Sequence, residues 1–190
     1  MEDLATAKIA LRKLMRARRL GLSKALPKAG QMAAQLLRTG CLAPFSVLGA
    51  YWPQGSEIDP WPTVERLVQT GARLALPAAL NSDSPLAFRR YAPSDDLVPD
   101  AFGIPSPPPQ AQAVDPDLII CPLLAFDLRG HRLGQGAGHY DRTVAALRLR
   151  QPVFLLGLGF AGQEVDRVPT GSHDMPLDAI LTENGYIDFR

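Results

Sequence analysis

The sequence is poor in cysteine, in aromatic residues and in charge of one sign. Its two cysteines, Cys41 and Cys121, form no C-x-x-C pair, which excludes a disulfide framework and a cysteine-based zinc site. Two buried thiols in a reducing compartment are expected. Aromatic residues make up 7% of the chain, and 20 basic against 19 acidic residues leave a formal charge of +1. That balance excludes a general attraction to nucleic acid or to an anionic membrane. Long apolar runs are missing too. "PVFLLGLGFAG", from Pro152, falls well short of the ~20 residues that span a bilayer. The opening "MEDLATAKIALRKL" lacks the apolar stretch and cleavage site of a signal peptide, and Glu2 and Asp3 speak against a transit peptide. A soluble cytoplasmic protein is expected.

What is present suits one domain over residues 1–190, with 46% hydrophobic residues to fill a core. Residues 3–20 read as a helix, with Leu4, Leu11 and Met15 on one arc and a basic stripe of Lys8, Arg12, Arg16 and Arg19 beside it. Ser23 is the expected cap of a second helix ending near Gly40, with Pro27 in its first turn. Phe45–Trp52 reads as a strand. Asp59 and Pro60 start a helix that runs to about Gln69 and closes at Gly71. "RLALPAA" and "LAFRRY" are short strands, and the run from Asp117 is a buried one. A helix over Asp141–Arg150, a strand at "PVFLLGL" and a last strand near "DAILT" complete the pattern. Alternating strands and helices predict an α/β fold around a mostly parallel sheet covered on both faces. Residues 92–116 hold seven prolines and cannot form a central strand or helix. They are expected to make a rigid surface loop across the molecule, over a site.

The densest chemistry lies in "RLGQGAGHYDR", Arg132–Arg142. Gly134, Gly136 and Gly138 bare the backbone just before a helix, where amide N–H groups and the helix dipole favour an anion. The spacing is neither a Walker loop nor a dinucleotide fingerprint. A carboxylate beside a bound phosphate commonly holds magnesium, which singles out Asp141. Asp174, in "HDMPLDAILTENG", is either a turn residue or a second ligand. Trp52 and Glu57 sit near a strand end, either as core and helix-start residues or as ligand contacts. The basic stripe is either a solvated face or a grip on something the helix packs against.

Together these segments resemble the 5-formyltetrahydrofolate cyclo-ligase family, also known as methenyltetrahydrofolate synthetases. The likeness rests on Lys8 and Arg12, "YWPQGSEID", "FGIPSPPP", "FDLRGHRLGQGAGHYDR" and "HDMPLDAILTENG", and so spans nearly the whole chain. His139 replaces the first tyrosine of the family's G-x-G-x-G-Y-Y-D-R, and Ser106 stands where glutamate is common. The resemblance implies a three-layer, Rossmann-like sandwich similar to sugar-phosphate isomerases and CoA transferases. It implies conversion of 5-formyltetrahydrofolate, with or without a polyglutamate tail, and ATP to 5,10-methenyltetrahydrofolate, ADP and phosphate through an N5-iminium phosphate. By the same resemblance Lys8, Arg12, Arg132, Leu133, Gly134, Gln135, Gly136, Ala137, Gly138, His139 and Tyr140 hold ATP. Trp52, Glu57, Phe102, Ile104 and the loop from Gln135 to His139 hold the folate. Asp141 and Asp174 hold Mg²⁺, and His139, Tyr140 and Arg142 are the catalytic set. A monomer or weak dimer is expected, with no nucleic-acid or membrane partner. The competing readings are an isomerase or CoA-transferase-like enzyme that needs no ATP, and a non-catalytic folate- or RNA-binding relative.

Overall fold

Most apolar runs become strands, shorter than their sequence extent because proline and glycine interrupt them. The computed structural model describes residues 3–190; Glu2, weighed above against a targeting peptide, lies outside the described residues. In chain order the elements are α1 (Leu4–Ala25), α2 (Ala29–Leu36), β1 (Val47–Gly49), α3 (Trp61–Val68), β2 (Arg73–Ala78), β3 (Ala87–Arg90), β4 (Val98–Pro99), β5 (Pro105–Ser106), β6 (Leu118–Pro122), β7 (Ala125–Phe126), β8 (Arg132–Leu133), α4 (His139–Arg148), β9 (Phe154–Leu158), β10 (Ala179–Thr182) and β11 (Gly185–Asp188).

Seven strands form one sheet in the order β11-β10-β9-β6-β1-β2-β3. The five inner strands are parallel, and β3 and β11 add antiparallel edges. The two-residue period of a strand sorts the core into two faces. Leu118, Ile120, Leu156 and Leu181 pack with Ala33, Val64 and Leu67 of α2 and α3. Ile119, Leu155 and Ile180 pack with Val144 and Leu147 of α4. The result is the expected α/β three-layer sandwich around a mostly parallel, mixed sheet. The chain leaves β1 toward β2 on one side, while β6 lies on the other and leads on to β9. This reversal puts a crevice beyond the carboxyl ends of β1 and β6, where open α/β sheets bind ligands.

Several local expectations are corrected. The first helix runs past Gly21 to Ala25 and stops because Pro27 forbids its continuation. Ser23 is inside it and donates back to the Leu20 carbonyl, so it caps nothing; α2 starts only at Ala29. The strand read over Phe45–Trp52 is three residues long. The run from Asp117 breaks after Pro122, and Ala125–Phe126 turns away to pair with Arg132–Leu133. The helix expected from Asp141 begins two residues earlier, at His139. "DAILT" is not last, because β11 folds back on it. Cys41 is exposed, and Cys121 alone is buried; burial pushes its thiol up to about 11, which leaves it unreactive at neutral pH.

Candidate active site

One cavity of about 560 Å³ opens at the sheet's switch point. Its walls come from α1, from the chain after β1, β2 and β6, from the tip of the β4–β5 hairpin, and from the glycine loop between β8 and α4. Every site residue singled out in the sequence lines it except Arg142.

At one end stand cations and bare backbone. The basic stripe of α1 is not a solvated face. Lys8 pairs with Asp174 at 2.5 Å, Arg12 donates to the Gly134 carbonyl at 3.1 Å, and Arg16 donates to the Gln135 side chain at 3.0 Å. Arg132, mostly buried, pairs with Asp141 at 2.8 Å and donates to the Met175 carbonyl. Gly136 (φ +118°) and Gly138 (φ +71°) take left-handed conformations that side chains resist. A Cβ on Gly136 would also lie 3.2 Å from the Arg12 guanidinium carbon. Gly138 caps α4, so the first amides of that helix are free to meet an anion.

Asp141 and Asp174 face the same cavity from separate segments. Each is engaged through one carboxylate oxygen only. Oδ1 of Asp141 accepts from Arg132 and the Met175 amide, and Oδ2 of Asp174 accepts from Lys8 and the Gly171 amide. One oxygen on each carboxylate therefore accepts no hydrogen bond from the described residues. No group of three or more histidine, cysteine or acidic side chains that could hold a metal occurs among the described residues. Two hard oxygens without soft ligands fit Mg²⁺, which takes one or two carboxylates and completes its shell with phosphate and water.

The opposite end is apolar with one acid. Trp52 is half-buried and meets the Trp61 ring edge-on at 5.4 Å, so it serves the core and the cavity at once. Glu57 is almost wholly buried. It accepts from the Gln54 amide at 2.9 Å and pairs with Arg19 at 3.3 Å. Burial pushes its pKa up, and the Gln54 amide and Arg19 oppose the rise. Tyr51 donates to the Ile58 carbonyl at 2.6 Å and fixes this loop. The proline-rich segment forms the short β4–β5 hairpin outside the main sheet and carries Phe102 and Ile104 to the cavity, as expected of a loop over a site.

His139 is the first residue of α4. Its Nδ1 lies 3.1 Å from the Ser84 carbonyl and 3.4 Å from the Arg142 guanidinium. Nε2 is buried without a partner, and the Phe102 ring lies edge-on to the imidazole at 5.5 Å. Burial raises the Tyr140 pKa well above the usual phenol range and keeps its hydroxyl protonated. Arg142 turns away from the cavity and donates to the Ser82 carbonyl at 2.7 Å. The structure thus gathers His139 and Tyr140 in the cavity and sets Arg142 behind the loop.

Sequence reasoning missed Arg19, Tyr51, Gln54, Asp100 and Leu123 as parts of the wall. Arg19 was visible as the last member of the basic stripe. Asp100 bonds the Ala79, Phe102 and Ile104 amides with one carboxylate, and no spacing rule reveals that.

Comparison with known proteins agrees with this geometry. Residues 5–183 match the 5-formyltetrahydrofolate cyclo-ligase family. The 5-formyltetrahydrofolate cyclo-ligase of Mycolicibacterium smegmatis is 35% identical over 150 residues, covering 74% of this chain and 76% of that one. That of Escherichia coli is 37% identical over 133 residues, covering 66% and 71%. The NMR structure of Aquifex aeolicus 5,10-methenyltetrahydrofolate synthetase superposes with a TM-score of 0.74 at 28% identity, covering 96% of this chain and 93% of that one. The synthetase from Mycoplasma pneumoniae, at 22% identity and a TM-score of 0.71, shares the fold.

Proposed function

The chain belongs to the 5-formyltetrahydrofolate cyclo-ligase family, and from that premise we propose that it converts 5-formyltetrahydrofolate to 5,10-methenyltetrahydrofolate with cleavage of ATP to ADP and phosphate. The observation that carries the reading is the two-ended cavity. Lys8, Arg12, Arg132 and the amino end of α4 suit a polyphosphate; Trp52, Glu57, Phe102 and Ile104 suit a flat heterocycle with an N–H edge.

The chemistry follows from a weak leaving group. A formamide oxygen does not depart unaided, so it must first be phosphorylated. The formyl oxygen attacks the γ-phosphorus, the bond to the ADP oxygen breaks, and an N5-iminium phosphate results. N10 then attacks the iminium carbon, loses its proton, and phosphate leaves. Phosphoryl transfer depends on alignment and on charge neutralisation. Lys8, Arg12 and Arg132 supply cations where the phosphate oxygens gather. The α4 amides, bared by Gly136 and Gly138, add directed donors. Asp141 and Asp174 would hold Mg²⁺, which supplies further neutralisation of phosphate charge when bound. Tyr140, protonated at neutral pH, serves as a hydrogen-bond donor rather than a base. Glu57 accepts hydrogen bonds from the pterin edge, and the Trp52 and Phe102 rings exclude water on either side of the reacting carbon.

The same reading takes residues 1–190 as one catalytic domain working in the cytoplasm as a monomer or weak dimer. No helix among the described residues is long and apolar enough to cross a membrane. The test is direct. Purified protein with 5-formyltetrahydrofolate and MgATP should develop the near-ultraviolet absorbance of the methenyl product, and should not do so without ATP. No absorbance change with both substrates present would overturn the reading.

A further inference from the structure

Arg19 is an arginine with 5% of its surface exposed, on a helix whose Lys8 and Arg12 line the opposite end of the cavity. A buried guanidinium must be fully bonded to be tolerated. Here Nε donates to the Ser56 hydroxyl at 3.1 Å, and Nη1 donates to Glu57 at 3.3 Å and to the Leu123 carbonyl at 3.2 Å. It therefore ties together α1, the loop after β1 and the chain leaving β6. Glu57 uses one oxygen toward Arg19 and the other toward the Gln54 amide, which leaves a lone pair on each for a ligand.

We propose that Arg19 is a positioning residue for folate recognition: it orients the Glu57 carboxylate as a double acceptor, and so selects a ligand edge with two adjacent N–H donors. The proposal rests on the reading that Glu57 receives the pterin. An ionised carboxylate accepts from both N–H groups of such an edge, whereas a carboxylic acid presents one donor and mismatches it. The groups facing Glu57 are few. Arg19 comes from α1, Tyr51 from its own loop and Tyr140 from α4; both phenols stay neutral at working pH. The Gln54 amide and Arg19 oppose the effect of burial on Glu57, and of the two Arg19 carries the charge.

The test compares ligand binding, not turnover. Arg19→Met should raise the Kd for 5-formyltetrahydrofolate by at least about tenfold, the scale of a hydrogen bond to a charged group. The Kd for MgATP should stay unchanged, although Arg19 shares α1 with Lys8 and Arg12. Folate affinity of the variant should fall more steeply toward acid pH than that of the wild type, because a buried Glu57 without its cationic partner takes up a proton more readily. Arg19→Lys, which keeps the charge but not the three-way bonding, should bind folate more weakly than the wild type without the added pH dependence. Equal losses of folate and MgATP affinity without pH dependence would reduce Arg19 to a prop for the helix and overturn the proposal. If Arg19→Met does not fold, Arg19→Lys decides. One ammonium cannot satisfy three separated acceptors, so a weaker folate Kd with MgATP unchanged supports the proposal, and wild-type folate binding refutes it. Glu57→Gln checks the premise separately. Undiminished folate binding in that variant would overturn the placement of the pterin at Glu57, whatever Arg19 does.

Discussion

Lys8 and Asp174 close the cavity from opposite ends of the chain, their charged groups 2.5 Å apart. Burial raises the Asp174 pKa, but Lys8 and the Gly171 amide overrule it and hold the carboxyl below its usual range. Asp174 is therefore an anion at neutral pH, with one oxygen occupied and one free. Asp141 has the same arrangement with Arg132.

If both free oxygens serve Mg²⁺, Asp141→Asn and Asp174→Asn should each lower turnover by at least about tenfold. Each should also move the Mg²⁺ requirement to higher concentration, as read from initial rates against free Mg²⁺. An unchanged Mg²⁺ requirement in both variants would return the two carboxylates to a purely structural role.

Arg12→Ala should raise the KM for ATP much more than that for the folate. The guanidinium bonds the Gly134 carbonyl and lies against Gly136, at the glycine-loop end of the cavity. Alanine is the best helix former, so far-ultraviolet circular dichroism should not change. Equal shifts in both KM values would contradict a phosphate-specific grip.

His139→Tyr should remain active, since a flat ring with one polar atom still fits against Phe102. His139→Ala removes the bond to Ser84 and the ring contact. Two such interactions, each worth ~1 kcal/mol, predict roughly a tenfold or greater loss in kcat/KM. A fully active alanine variant would make the imidazole mere packing.

Asp127 bears on stability rather than chemistry. Its buried carboxylate accepts from the Val168, Arg129 and His131 amides and from the Arg129 side chain. Burial would raise its pKa, but these donors prevail and hold it at about 2. A pKa lowered by folding stabilises the folded state above the unfolded value of about 4 and loses that contribution as the pH falls through the window below it. Asp127→Asn should destabilise the fold by ~2–4 kcal/mol at neutral pH. Urea melts should show the difference from wild type shrinking between about pH 4 and about pH 2. A constant difference would contradict the assignment.

The sequence made the α/β class and most of the cavity wall legible, because both are written locally. The three glycines before an acid announced a bare turn at a helix start, and the period of Lys8, Arg12, Arg16 and Arg19 announced a single helix edge. What that edge touches was not legible, since Asp174, Gln135 and Glu57 come from distant segments. The alternatives for Trp52 proved to be joined, as one ring can face both core and cavity. The strand from Asp117 was overextended where the apolar run continued past Pro122. The two-residue β10–β11 turn, Glu183-Asn184, was overlooked.

The docking of α1 has a consequence for biosynthesis. Lys8, Arg12 and Arg16 are made more than a hundred residues before their partners Asp174, Gly134 and Gln135. Contacts so distant along the chain form slowly and late. This end of the cavity is therefore assembled only after Asp174 has been made. A nascent chain stalled at Thr170 should bind no nucleotide, although it already carries Lys8, Arg12 and the whole glycine loop. The fold thus couples assembly of this end of the cavity to synthesis of the segment that carries Asp174.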